Sequence, residues 1–210
     1  MLGLTGGIAM GKSAASATFR SFGVPVFDAD AAVHDVLAPG GAAVEPVLAA
    51  FPACRAADGG IDRAALGRLV FADPTALERL EAIVHPLVRA AERRFLARCA
   101  ALGEPLVVLD IPLLFETGAE AMVDAVAVVS APRFLQGQRV LRRPGMTEER
   151  LAAIRTRQLP DAEKQKRADF VIYTGLSRRR AAAAIGRIVR TLRARTGHVW
   201  PRRWGLAAAA

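Results

Sequence analysis

The sequence predicts an α/β protein, a parallel sheet covered by helices on both faces, with a helical insertion between the strands at 23–28 and 106–110. Three observations predict it. Several short apolar runs do not alternate with polar residues, the pattern of strands buried on both sides. Helical stretches separate those runs, as in βαβ units. The third is Gly6-Gly7-Ile8-Ala9-Met10-Gly11-Lys12-Ser13, which matches Gly-x-x-x-x-Gly-Lys-Ser in full between an apolar run and a helix.

Taken in order, Met1–Thr5 is a short apolar run that breaks at Gly6-Gly7, and Lys12–Phe22 reads as a helix. Gly23–Asp28 has the length and composition of a buried strand with a Gly/Pro entry. From Ala31 to about Leu102 the text is helical, interrupted at Pro39-Gly40-Gly41, Asp58-Gly59-Gly60, Asp73-Pro74 and His85-Pro86. Leu106–Asp110 and Ala125–Ser130 are further buried strands. Arg133–Arg142 and Thr147–Gln158 read as helices hinged at Pro144-Gly145, Asp169–Tyr173 as a last strand and Ser177–Arg195 as a last helix. Thr196–Ala210 has little periodicity and reads as a loose tail.

At 210 residues, 52% hydrophobic and 23% charged, the chain has room for one sizeable core. The longest apolar run, Leu106–Phe115, contains Asp110 and Pro112 and falls far short of the roughly 20 residues that span a bilayer. No basic segment precedes an apolar one at the N-terminus, so no cleaved signal is expected. Cys54 and Cys99 have neither metal-ligand nor redox-pair spacing and are expected to be reduced thiols of a cytoplasmic protein. The sequence has no asparagine, which excludes N-glycosylation and the Asn-Lys-x-Asp guanine motif of GTPases.

Net charge is +9, unevenly placed: 10 basic against 15 acidic side chains before residue 133, and 19 against 5 from there on. Such a basic half suggests a nucleic-acid or other polyanionic partner. Against that, 26 arginines to three lysines in an alanine-rich chain look like a compositional habit.

The glycine spacing lets the backbone curl around a polyphosphate with several N–H groups pointing inward, while the following helix adds its positive end. Gly7 to Ala14 are the expected nucleotide-binding residues. Lys12 reaches the β/γ oxygens, and the Ser13 hydroxyl is the expected Mg²⁺ ligand. Asp28-Ala29-Asp30 closes the second strand, at the carboxyl edge where ligands of doubly wound sheets sit. A kinase acting on a hydroxyl needs a group to take or orient its proton. Asp30 either does this or N-caps the next helix, and Asp28 is either the cap or a water-mediated Mg²⁺ contact; spacing alone leaves these open.

In combination the residues resemble one family, dephospho-CoA kinase. The resemblance runs from Leu2 to about Leu192. It rests on Gly3-Leu4-Thr5-Gly6-Gly7-Ile8 leading into the phosphate loop and on Gly23–Asp30. It continues through Asp58–Arg63, Leu80–Leu87 with its His-Pro-Leu, and Asp110-Ile111-Pro112-Leu113-Leu114-Phe115-Glu116. Gln138–Arg143 and Ala168-Asp169 complete it.

The resemblance implies a P-loop NTPase-type five-stranded parallel core at 1–30, 104–138 and 163–195. A helical substrate region is expected at 31–103, a helical lid at 139–162 and a tail at 196–210. It implies transfer of the γ-phosphoryl group of ATP, with Mg²⁺, to the ribose 3′-hydroxyl of dephospho-CoA, the last step of coenzyme A synthesis. By motif, Asp30 takes the role of acceptor-site base, Arg139 that of the lid arginine meeting transferring phosphates, and Arg143 that of a second ATP contact. Arg63, His85, Leu114 and Glu116 are substrate-site residues, while Asp110 resembles the strand-end acid that holds a Mg²⁺ water. Three departures stand out: Ala14 where the family usually has Ser or Thr, Tyr173 where relatives tend to carry Asp, and an unmatched tail from Gly197 to Trp204.

The implied partners are the small molecules ATP and dephospho-CoA, with no nucleic acid, no membrane, and a monomer or weak homo-oligomer. The runner-up is another small-molecule kinase of this fold, acting on a nucleoside monophosphate or shikimate. A second class is a nucleic-acid-binding P-loop protein in which Trp200 and Trp204 among Arg202 and Arg203 stack bases.

Overall fold

The computed structural model describes residues 1–204. The chain divides into two compact units, one made of Met1–Phe27 with the chain from Cys99 on, the other Asp28–Arg98.

The first unit is built on the sheet. Strands β1 (Leu2–Thr5), β2 (Val26–Asp28), β3 (Val108–Asp110), β4 (Ala125–Ser130) and β5 (Phe170–Tyr173) lie in the order β2-β3-β1-β4-β5. β1 pairs in parallel with β3 (Leu2 opposite Val108) and β4 (Leu2 opposite Ala125), and β4 with β5 (Ser130 opposite Tyr173). Every residue of β1, β3 and β4 is buried, as expected of unalternating apolar strands covered on both faces. Helices α1 (Lys12–Ser21) and α9 (Arg178–Arg193) share the core with the sheet, through Phe19 on one and Ile185, Ile188, Val189 and Leu192 on the other.

The second unit holds α2 (Ala29–Val36), α3 (Val44–Ala50), α4 (Arg63–Ala72) and most of α5 (Pro74–Ala101). It has its own core around Val47, Phe51, Cys54, Leu66 and Val84. Between α3 and α4 the Asp58-Gly59-Gly60 turn closes a bridge from Arg55 to Ile61. In the first unit, α6 (Arg133–Leu141), α7 (Glu148–Thr156) and α8 (Asp161–Arg167) follow β4.

Four expectations change. Gly23-Val24-Pro25 is not strand: Gly23, with φ of 67°, closes α1 by donating its N–H to the Arg20 carbonyl, and β2 starts only at Val26. His85-Pro86 does not interrupt α5. The carbonyl that loses its partner to Pro86 belongs to Ala82, and both residues are exposed, so water can satisfy it. Helix α8 has no apolar periodicity, only Asp-Ala-Glu-Lys-Gln-Lys-Arg, and is invisible to pattern reading.

The tail is also not loose as far as Trp204. Its Val199 and Trp204 side chains are buried, and the Asp124 carboxylate accepts from the N–H groups of His198 (2.6 Å) and Val199 (3.0 Å). Arg203 and the Trp204 indole donate to the carbonyls of Ala121 and Met122. Residues 205–210 of the expected tail lie outside the described residues.

Candidate active site

The phosphate loop leaves β1 at Thr5, whose buried hydroxyl donates to the Pro112 carbonyl at 2.9 Å. It then curls. Ala9 takes φ of 56° and Gly11 φ of 100°, both left-handed. Gly11 is needed twice over, because a Cβ there would also stand 2.9 Å from the Thr174 hydroxyl oxygen. That hydroxyl donates to the Met10 carbonyl, which ties the loop to the residue just past β5. The Met10 side chain is core: it is buried, and its sulfur accepts from the Ala131 N–H, so only its backbone can meet a ligand.

Helix α1 starts directly from the loop, with no side-chain cap and no acidic residue in its first turn. Its leading N–H groups and positive dipole end are thereby left for an anion. Ser13 and Ala14 lie on that first turn, both exposed. One turn deeper, Asp110 at the end of β3 is almost wholly buried, with Lys12 Nζ donating to Oδ1 at 2.6 Å and the Ser16 hydroxyl to Oδ2 at 2.5 Å. Lys12 is thus aimed along the carboxyl edge of the sheet by a fixed negative charge. The Asp110 carboxylate and the hydroxyl of Ser13, the residue after Lys12, are hard oxygen donors of the kind Mg²⁺ prefers. Among the described residues no cluster of three or more His, Cys, Asp or Glu side chains forms a metal cage.

Helix α6 lies against the loop through one face. Arg139 donates to the carbonyls of Ala9 (3.3 Å) and Thr174 (3.1 Å). Three residues earlier, Gln136 donates to the Ile8 carbonyl at 3.0 Å and accepts twice from Arg155 of α7, at 2.8 and 3.0 Å. The Ile8 N–H in turn donates to Gln158 at 3.1 Å. A cavity of about 440 Å³ opens over Gly7, with Met10, Arg133, Gln136, Arg155, Gln158 and Asp161 in its wall. Arg143 lies exposed in the turn after α6.

The two acids after β2 are now distinguished. Asp28 is the N-cap of α2 and accepts from the Ala31 N–H at 3.0 Å, while Asp30 occupies the exposed first turn. In the same unit Arg63 opens α4 and donates to the ring and the carbonyl (2.9 Å) of His34. His85 is exposed on α5.

Two expected substrate residues are turned inward. Leu114 is fully buried and presents no surface to a ligand. Glu116 is committed to the protein: it pairs with the fully buried Lys164 at 2.8 Å and accepts from the Leu159 N–H at 2.8 Å. Burial pushes the Glu116 carboxyl up, but Lys164 and the Leu159 N–H outweigh it and hold the group below the ordinary glutamate range.

The structure thus gathers the phosphate loop, Lys12, Asp110 and Arg139, and adds Ser16, Gln136, Arg155, Gln158 and Thr174, which sequence reasoning missed. A signal existed for two of them. Gln136 stands three residues before Arg139 on one helical face, and Thr174 immediately follows a strand's carboxyl end.

The family model described as dephospho-CoA kinase matches residues 1–177. The chain belongs to the dephospho-CoA kinase family. Among its relatives, the dephospho-CoA kinase of Paramagnetospirillum magneticum is 62% identical over 165 residues, 79% of this chain and 77% of that one. The Mesorhizobium japonicum dephospho-CoA kinase is 53% identical over 94% of this chain and 98% of its own. Among solved structures, TT1252 from Thermus thermophilus superposes with a TM-score of 0.79 at 39% identity, covering 91% of this chain and 96% of that one. The dephospho-CoA kinase from Campylobacter jejuni does so with 0.60 at 25%, over the same shares. The family's phosphate-loop kinase fold is the one described above, a five-stranded parallel sheet flanked by helices. No helix among the described residues is long and apolar enough to cross a membrane.

Proposed function

We propose that this chain transfers the γ-phosphoryl group of ATP to the ribose 3′-hydroxyl of dephospho-CoA, giving coenzyme A and ADP. The observation that carries the reading is the phosphate loop with Lys12 braced on Asp110 and Arg139 laid across Ala9 and Thr174, in a chain of this family. The loop's inward N–H groups and the open end of α1 hold the polyphosphate. Lys12 and Arg139 meet the charge that spreads over the transferring oxygens, and Arg143 adds a further ATP contact as α6 and α7 close.

Asp30 acts as the base that orients and accepts the hydroxyl proton. It can do so because Asp28 has taken the capping duty. Arg63 and His85 belong to the acceptor region, and Leu114, fully buried, and Glu116, paired with Lys164, support it. Bound Mg²⁺ would neutralise phosphate charge, with Ser13 as its direct ligand and Asp110 holding one of its waters. The chain works in the cytoplasm on these small molecules, as a monomer or weak homo-oligomer, without nucleic acid or membrane.

The test is a substrate panel with purified protein. ADP release in step with added dephospho-CoA, with coenzyme A as product, is the expected result. Indifference to dephospho-CoA with a response to a nucleoside monophosphate or shikimate would move the assignment to another kinase of this fold.

A further inference from the structure

The feature that the roles above leave unexplained is Gln136. Only 5% of it is exposed, and burying a primary amide is unfavourable unless both ends are satisfied. Here both are, by partners of opposite polarity. The Ile8 carbonyl only accepts and takes the amide N–H, while the Arg155 guanidinium only donates and gives Nε and Nη2 to the amide oxygen. No other side chain of this size meets both demands. Glutamate turns an oxygen toward the Ile8 carbonyl, and methionine reaches neither partner with a strong bond.

The preceding peptide of the loop is held by Gln158, which accepts the Ile8 N–H. The two glutamines close over Gly7, where a Cβ would lie 3.4 Å from each amide. We infer that Gln136 is a positioning residue for the phosphoryl transfer proposed above, holding the Ile8 peptide of the phosphate loop and the Arg155 guanidinium of α7 in one register across the 440 Å³ cavity. Arg155 is the cation that benefits. Anchored through two of its nitrogens, it cannot rotate away from the cavity, and a charge-stabilising group held in place incurs no reorganisation during reaction.

The inference rests on the kinase reading and is tested beside it. Gln136→Met, Gln136→Glu, Arg155→Met and the Gln136→Met/Arg155→Met double variant are compared with wild type for kcat, for KM toward ATP and dephospho-CoA, and for melting temperature. Both Gln136 variants should lose kcat by about 10- to 100-fold, the scale of a misplaced stabilising group, with KM for dephospho-CoA within about threefold. Gln136→Glu is the telling case, since it keeps the Arg155 pair and loses only Ile8. The double variant should be little worse than either single one. A folded Gln136→Met protein with wild-type kcat and a lowered melting temperature would reduce Gln136 to packing. So would single losses that multiply in the double variant. Wild-type ADP release that ignores dephospho-CoA would overturn the substrate reading instead, and the same kcat split is then read on that release.

Discussion

Residues three or fewer apart can carry unrelated duties, and the pair Asp28 and Asp30 shows how the backbone assigns them. Asp28 sits in extended conformation at the end of β2 with its carboxylate turned back to the Ala31 N–H. Asp30, already inside the helix, cannot cap it. Replacing Asp28 with Ala should therefore lower stability by about 1 kcal/mol, the usual loss of an N-cap, read from denaturant unfolding. Asp30→Ala should instead lower kcat by roughly 10²–10⁴ while ATP binding persists. Equal turnover in wild type and Asp30→Ala would remove Asp30 from the chemistry. Both acids stand in the sequence, and their difference does not, because capping depends on φ and ψ at a boundary that composition locates only to within a residue or two.

At the scale of elements, the apolar strands and the periodic helices were legible because burial on two faces or one stripe leaves a pattern. What escaped is short, polar and held by side chains. Helix α8 depends on Lys164, fully buried against Glu116, a carboxylate that family likeness assigns to the acceptor site. Lys164→Met should destabilise by about 2 kcal/mol, less than the ~3–5 of a wholly buried pair because Glu116 retains some water. Adding Glu116→Gln should recover part of that loss. The pH dependence has a definite sign. Glu116 titrates below its unfolded value, so its contribution is complete above the ordinary glutamate range and disappears as pH falls through the lower folded value; Glu116→Gln should flatten that acid limb of the unfolding profile. The C-terminal segment escaped for the same reason. Its docking rests on Asp124, distant in sequence. Asp124→Ala should release Trp200 and Trp204, the chain's two tryptophans, and shift their fluorescence to longer wavelength while turnover stays intact. An unmoved spectrum would show that the packing of Val199 and Trp204, with the Arg203 and Trp204 hydrogen bonds to Ala121 and Met122, holds the segment without Asp124.

Across the molecule, the basic second half needs no nucleic acid to explain it. Arg139 and Arg155 serve the phosphate loop directly or through Gln136. Arg193 donates to the carbonyls of Phe22 and Gly23 at 3.2 and 3.1 Å, Arg203 to that of Ala121 at 2.8 Å, and Arg167 pairs with Glu120 and covers the Phe115 ring. These are struts between chain segments, and a guanidinium suits them because its fork of donors reaches two acceptors at once. The arginines left on the outer face of α9, such as Arg178, Arg187 and Arg190, are exposed. Their common effect is a positive field that attracts polyanionic substrates over a Debye length of roughly 10 Å at 0.1 M salt. Raising ionic strength from about 0.05 to 0.5 M should then lower kcat/KM several-fold with kcat nearly constant, since screening acts on encounter rather than on the closed site. Double-stranded DNA added at physiological salt should leave kcat/KM unchanged. Inhibition there that vanishes steeply with added salt would show phosphate-backbone binding, and the charge distribution would regain its nucleic-acid reading.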